Sequence, residues 1–256
     1  MHNKNNSILI KANFIKTANF LKDLIQGISN NILMREDIDV YNHLKAIGLN
    51  FDLIIDVGVG TGTEDLYKSF SSKASFFMVE PLSDFNEEIH AIATRIKLSY
   101  EIFNFAASNT KGKSSINVHE NPSGSSLLLE KFQSNEYNGF KREIDLNRID
   151  SITQISNFKD IFLKIDVQGP NLDVLEGCEN IFDKIQAIQI ESYIFDTFDS
   201  NKDQSIKAII NYLDSKGFRI FDFSSFLKRP LDNSIIQLEL FFLKSDNRVF
   251  SNPKFK

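Results

Sequence analysis

Three glycines at every second position, Gly58, Gly60 and Gly62, follow a nearly continuous apolar run formed by Phe51, Leu53, Ile54, Ile55 and Val57. Glycine lets a chain turn sharply out of a buried strand and lets a ligand reach main-chain atoms that a Cβ would shield, so this stretch suggests nucleotide binding. Its spacing, Gly-x-Gly-x-Gly, differs from the Gly-x-Gly-x-x-Gly of dinucleotide enzymes. A second apolar run over 76–79 ends in Glu80 and Pro81, 18 positions beyond Gly62. That is close to the spacing of about twenty at which a carboxylate grips the hydroxyls of a ribose. Two later runs also finish in polar residues: 161–165 leads into Asp166, Val167, Gln168 and Gly169, and 187–190 ends in Glu191. Strands that repeatedly end in acids, separated by helices, imply a parallel sheet whose carboxyl edge holds the site. His119 precedes a polar loop over 120–126, long enough to carry function, in which Ser125 and Ser126 are candidates for hydrogen bonds to a substrate.

The elements that must position these residues follow from periodicity. Residues 63–70 place apolar side chains at 66, 67 and 70 behind two acids, as a helix start should. A helix is expected over 83–95, capped by Ser83, with Phe85, Ile89 and Ile92 on one face. Residues 100–108 read as a third strand ending in Ala106 and Ala107, small enough for an adenine ring to pass the backbone. Short strands are expected at 113–118 and 142–146, a helix beginning at Pro170 and stopping at Gly177, and another over 205–216 closed by Gly217. The strands at 218–223 and 238–243 have no room between them for a crossover helix, so they should be antiparallel. At the start of the chain, Phe14, Ala18, Leu21, Ile25, Ile28 and Ile32 line one side of a helix, and a shorter helix is expected over 37–47, stopped by Gly48. The division expected is a helical extension over 1–49 and a main domain over 50–256. The extension would pack on its own domain, lie over the substrate as a lid, or join two copies in a homo-oligomer.

Composition bounds the function. With 256 residues, 42% hydrophobic and 25% charged, the chain can bury the core of one domain plus an appendage. A net charge of -5 with acids and bases interspersed argues against nucleic acid as the main partner, because phosphate binding needs a basic surface. The single cysteine, Cys178, fits a reducing compartment. No apolar run approaches a membrane span, and the polar first residues are not followed by a signal-peptide core, so the expected location is cytoplasmic.

Several separated motifs carry a resemblance. The series Ile55-Asp56-Val57-Gly58, Val79-Glu80-Pro81, Ala106-Ala107-Ser108, Gly124-Ser125-Ser126-Leu127, Arg148-Ile149-Asp150-Ser151-Ile152, Leu163 through Gly169 and Val174-Leu175-Glu176-Gly177 resembles the FkbM family of S-adenosylmethionine-dependent methyltransferases. It covers about residues 50 to 195 in the right order. The resemblance, with the final hairpin, implies an α/β fold: a doubly wound, Rossmann-like class I methyltransferase sheet, mostly parallel with a C-terminal antiparallel hairpin. It also implies S-adenosylmethionine as cofactor, bound around Asp56, Gly58, Gly60, Gly62, Glu80, Pro81, Ala106 and Ala107, and methyl transfer to a hydroxyl of a sugar, glycan or other small-molecule acceptor.

Since the sulfonium methyl is already activated, such an enzyme needs placement and a base for the hydroxyl proton. Asp166, at a strand end beside the expected methyl position, is the first candidate base and His119 the second, with Ser125, Ser126, Gln168 and Glu191 as substrate contacts. No cluster of His or Cys points to a metal. The chain departs from the family pattern at Val59 and Gly60, where Ala-Asn is usual, and at Gln168-Gly169-Pro170-Asn171, where Glu-Gly-Ala-Glu is common. Two carboxylates have become amides, and an amide cannot take a proton. Two alternatives therefore stand beside the methyltransferase: a cofactor-binding protein that has lost catalysis, and an NAD(P)-dependent dehydrogenase.

Overall fold

Seven strands form the main sheet of the computed structural model, which describes residues 35–131 and 139–251. In chain order they are β1 (Leu53–Val57), β2 (Ser75–Val79), β3 (Ser99–Phe103), β4 (Ile161–Ile165), β5 (Ile185–Tyr193), β6 (Phe218–Lys228) and β7 (Ile235–Lys244). Their spatial order is β6-β7-β5-β4-β1-β2-β3. The five strands from β5 to β3 run parallel, while β7 is antiparallel to both β5 and β6. The carboxyl ends of β1, β2, β4 and β5 thus lie along one edge, as the acids at their ends require.

Among the described residues, five α-helices accompany the sheet: α1 (Asp37–Ala46), α2 (Glu64–Phe70), α3 (Asn86–Ile96), α4 (Asn171–Glu176) and α5 (Ile206–Ser215). Successive strand residues point to opposite faces, and both faces are covered. One cluster joins Ile55, Val57, Leu163 and Ile188 to Val174 of α4 and Ile209 of α5. The other joins Ile54, Phe76 and Phe162 to Tyr41 of α1, Leu66 of α2 and Ile89 of α3. Burial on both faces explains why β1 and β4 are buried at all five positions and are apolar at every position but Asp56 and Lys164. The α1 helix, grouped on sequence with the extension, packs in the second cluster through Val40, Tyr41 and Leu44, and the compact unit begins at Asp37. The helix expected over 14–32 lies outside the described residues.

Three local expectations need correction. Residues 100–108 are not one strand: β3 ends at Phe103, and Ala106–Ala107 pairs instead with Phe140–Asn147, which is antiparallel to Gly112–Val118. Asn104 Nδ2 donates to the Glu80 carbonyl at 2.9 Å and Phe105 N to the Phe103 carbonyl at 3.1 Å, which turns the chain out of the large sheet. Ser83 opens a 3-10 turn, Ser83–Phe85, ahead of α3 and makes no side-chain cap there. The closing hairpin is longer than expected, because β6 and β7 extend well past Phe223 and back before Leu238. Among the described residues, no helix is long and apolar enough to cross a membrane.

Candidate active site

The turn after β1 is held from two sides. All three of its glycines have positive φ, +80° at Gly58, +51° at Gly60 and +96° at Gly62. At Gly58 the restriction is absolute, since a Cβ would stand 2.0 Å from the Asp166 carbonyl oxygen at the end of the neighbouring strand. Opposite, Glu80 at the end of β2 accepts hydrogen bonds from Gly60 N on Oε2 and Leu82 N on Oε1, both at 2.9 Å. Burial holds the Glu80 carboxyl above its ordinary range, with the two amides working the other way. Each oxygen keeps a second lone pair for a ligand hydroxyl.

A cavity of about 330 Å³ opens over this turn, within the range of small-molecule sites. Its lining brings together twelve of the fourteen residues singled out in the sequence: Gly58, Gly60, Gly62, Glu80, Pro81, Ala106, Ala107, Ser125, Ser126, Asp166, Gln168 and Glu191. Leu82, Phe85, Ile116 and Leu127 add apolar wall. The loop over 120–126 lies across the cavity, fixed by Ser126 Oγ, which donates to the Gln168 carbonyl and accepts from Leu128 N at 2.9 Å.

The two remaining residues stand outside the lining. Asp56 is fully buried beneath the turn, where its Oδ2 accepts from the Tyr67 hydroxyl at 2.7 Å and its Oδ1 lies 3.4 Å from Lys164 Nζ. Its position supports the turn from below. His119 is also buried, with its ring packed under Gly124.

Asp166 and Glu191, which line the cavity, belong to a set of acids around one buried lysine. Lys164 Nζ donates to Asp166 Oδ2 at 2.9 Å. Burial opposes the ammonium's charge, but Asp166, Asp56 and Glu239 outweigh it and hold the group well above the ordinary lysine value. Carboxylate oxygens of Asp166, Glu191 and Glu239 lie within 4.8 Å of one another. Glu239 comes from β7, where the register sets it directly across from Glu191. Burial, and then the charge of Asp166, push the Glu191 carboxyl up to about 8. Burial, Asp37 and Asp166 keep Glu239 well above the ordinary carboxylate range. Like charges this close cannot all ionise, so the set retains protons at neutral pH.

Sequence reasoning missed Lys164 and Glu239. Each is a lone charge inside an apolar strand, Ile161–Ile165 and Ile235–Lys244, and a charge in that setting signals a buried partner.

The model of the family described as "Methyltransferase FkbM domain" matches residues 56–220, more than half of the chain. No match was found among the curated proteins. Similar solved structures include an S-adenosylmethionine-dependent methyltransferase from Clostridium acetobutylicum, at 11% identity and a TM-score of 0.44, covering 90% of this chain and 98% of that one. An rRNA methylase from Streptococcus thermophilus is 12% identical with a TM-score of 0.46, covering 83% and 98%. The 1,6-didemethyltoxoflavin-N1-methyltransferase of Burkholderia thailandensis, solved with S-adenosylhomocysteine, is 12% identical with a TM-score of 0.44, covering 96% and 92%. The matched region contains the glycine turn, Glu80 and the Asp166 strand end, and the chain belongs to the FkbM family of S-adenosylmethionine-dependent methyltransferases.

Proposed function

We propose that this chain methylates a hydroxyl oxygen, carried by a sugar or a sugar-bearing natural product. The observation that carries the reading is the cavity floor: the space opened by the glycine turn ends on two carboxyl groups, Asp166 and Glu191, beside Gln168. A hydroxyl must lose its proton as it is methylated, and a carboxylate can take it. Ser125, Ser126 and Gln168 supply polar contacts of the kind a hydroxyl-rich acceptor needs, and the motif resemblance favours a glycan.

The residues present suit S-adenosylmethionine. Gly58 and Gly60 leave the backbone bare, Glu80 offers lone pairs for the ribose diol, and an acidic floor complements a cationic ligand. When bound, the cofactor supplies a methyl group already activated by positive sulfur. Glu80 would hold the sugar, Ala106 and Ala107 would leave room for the base, and the floor carboxyls would orient the acceptor and receive its proton. The family match and the glycine spacing set aside the dehydrogenase.

The test is methyl transfer to a panel of glycosides and matched amino sugars, with the linkage read by mass spectrometry. Oxygen-linked methyl is expected. Methylation of amines alone, or cofactor binding without transfer across a broad glycan panel, would overturn the reading, and the latter result would favour a chain that has lost catalysis.

A further inference from the structure

The two amides that replace acids in the family pattern converge on one residue. Gln168 Nε2 donates to Glu191 Oε1 at 3.0 Å, and Asn171 Nδ2 donates to the Glu191 backbone carbonyl at 2.7 Å. The Gln168 amide is oriented by the Tyr193 hydroxyl, which donates to its Oε1 and so leaves Nε2 to face Glu191. A carboxylate at position 168 would instead set a further anion against Glu191. Gln168 therefore holds the Glu191 carboxyl group and Asn171 the backbone that carries it.

The acids of the floor differ in their counter-charge. Asp166 has the Lys164 ammonium at 2.9 Å and keeps a partly open face to the cavity. Asp166 thus already has its charge partner in Lys164. Glu191 is 9% exposed and, among the described residues, has no ammonium within salt-bridge distance. Its neighbours are Lys164 of β4 and Asp166 just past it, Glu239 from β7, Tyr193 on its own strand, and, further off, Asp56 from β1 and Asp37 of α1, which reaches Glu239 through Gln189. Burial and the neighbouring charge of Asp166 hold the Glu191 carboxyl above the ordinary carboxylate range.

We propose that Glu191 is the residue that accepts the proton of the methyl acceptor, with Gln168 and Asn171 as its positioning residues and Asp166 as a fixed anion beside it. This assignment rests on the hydroxyl reading above. The acceptor's O–H bond breaks and the proton goes to the Glu191 carboxylate. The oxygen's electron pair forms the new O–C bond, the pair of the broken S–C bond stays on sulfur, and the proton later leaves to water. The position of the Glu191 carboxyl at about 8 supports the role, because it matches a group that exchanges protons near neutral pH.

The test begins on the ligand-free protein, labelled with ¹³C at the glutamate carboxyl groups and followed by NMR across pH. A glutamate titrating near 8 is expected in the wild type, absent in Glu191→Gln and moved to lower pH in Asp166→Asn; Glu239→Gln separates the Glu239 signal from it. A resonance that survives Glu191→Gln, or no glutamate titrating above the ordinary range, overturns the assignment. Neither cofactor nor acceptor enters this measurement, so its failure is distinct from failure of the hydroxyl reading. In the transfer assay Glu191→Gln should lose roughly 10²–10⁴-fold in turnover with cofactor affinity kept. Wild-type turnover in that variant overturns the role even with the titration as expected. An intact titration with no hydroxyl methylated removes the acceptor role and the hydroxyl reading together.

Discussion

Lys164→Met isolates the charge balance beneath the site. The substitution keeps an apolar stem of similar length but removes an ammonium that is 2.9 Å from Asp166 and 3.4 Å from Asp56, on a side chain only 3% exposed. Taking one partner from a buried ion pair typically destabilises by about 3–5 kcal/mol, because the other charge is left uncompensated. Here the loss falls mainly on Asp56, which is fully buried and retains only the Tyr67 hydroxyl, whereas Asp166 is partly open to solvent. A loss of about 3 kcal/mol at pH 8 is therefore expected. The sign with pH follows from which group titrates. A lysine held above its ordinary value contributes stability that is fully present below the unfolded value of about 10.4, so its wild-type contribution is constant from pH 5 to 8. In the variant the Glu191 carboxyl loses the lowering influence of Lys164 and rises further, so the penalty grows from pH 5 to pH 8. Urea unfolding of both proteins at pH 5 and pH 8 measures it, and Lys164→Met/Asp56→Asn should recover most of the loss. A penalty below about 1 kcal/mol, or one equal at the two pH values, would refute the reasoning.

Three further outcomes are expected. Glu80→Ala should weaken S-adenosylmethionine binding by about 1–3 kcal/mol in calorimetry, since the ribose acceptor and the partner of Gly60 N and Leu82 N are lost together. An unchanged affinity in a folded variant would remove Glu80 from the site. Gly58→Ala should lower the melting temperature and abolish cofactor binding, because the new Cβ has no room against the Asp166 carbonyl and φ is +80°; a variant of wild-type stability would contradict the turn geometry. Glu191→Gln should unfold at higher denaturant than the wild type, with a difference that grows with pH. A carboxyl raised from 4.5 to about 8 gives stability that is complete below 4.5 and lost as pH rises to 8, a span worth about 4–5 kcal/mol, so a difference independent of pH would contradict it.

The parts legible in the sequence were those fixed locally. The glycine turn, Glu80 and the acids at strand ends are set by short stretches, and the parallel sheet then carries them to one edge without further information. Direction across a doubly buried strand is not local. In Leu53–Val57 no polar alternation marks a face, so Asp56 could be placed at the site by motif yet lies beneath it with Tyr67 and Lys164. His119 ends a strand near the cavity, but its ring turns under Gly124. The importance of Glu239 depends on the register of β7 against β5, which pairs it with Glu191 across a sequence separation that no short pattern spans. Gln168 and Asn171 read as lost acids until their hydrogen bonds to Glu191 are seen.

The pH dependence of single-turnover methyl transfer to a hydroxyl acceptor tests the central claim most directly, measured on the wild type, Glu191→Gln and Asp166→Asn. With Glu191 as proton acceptor at about 8, the wild-type rate should rise with pH and level off above that value. Glu191→Gln should be slower by roughly 10²–10⁴-fold and lose this dependence, while Asp166→Asn should shift it to lower pH. A Glu191→Gln enzyme that keeps the wild-type rate and profile would contradict the account.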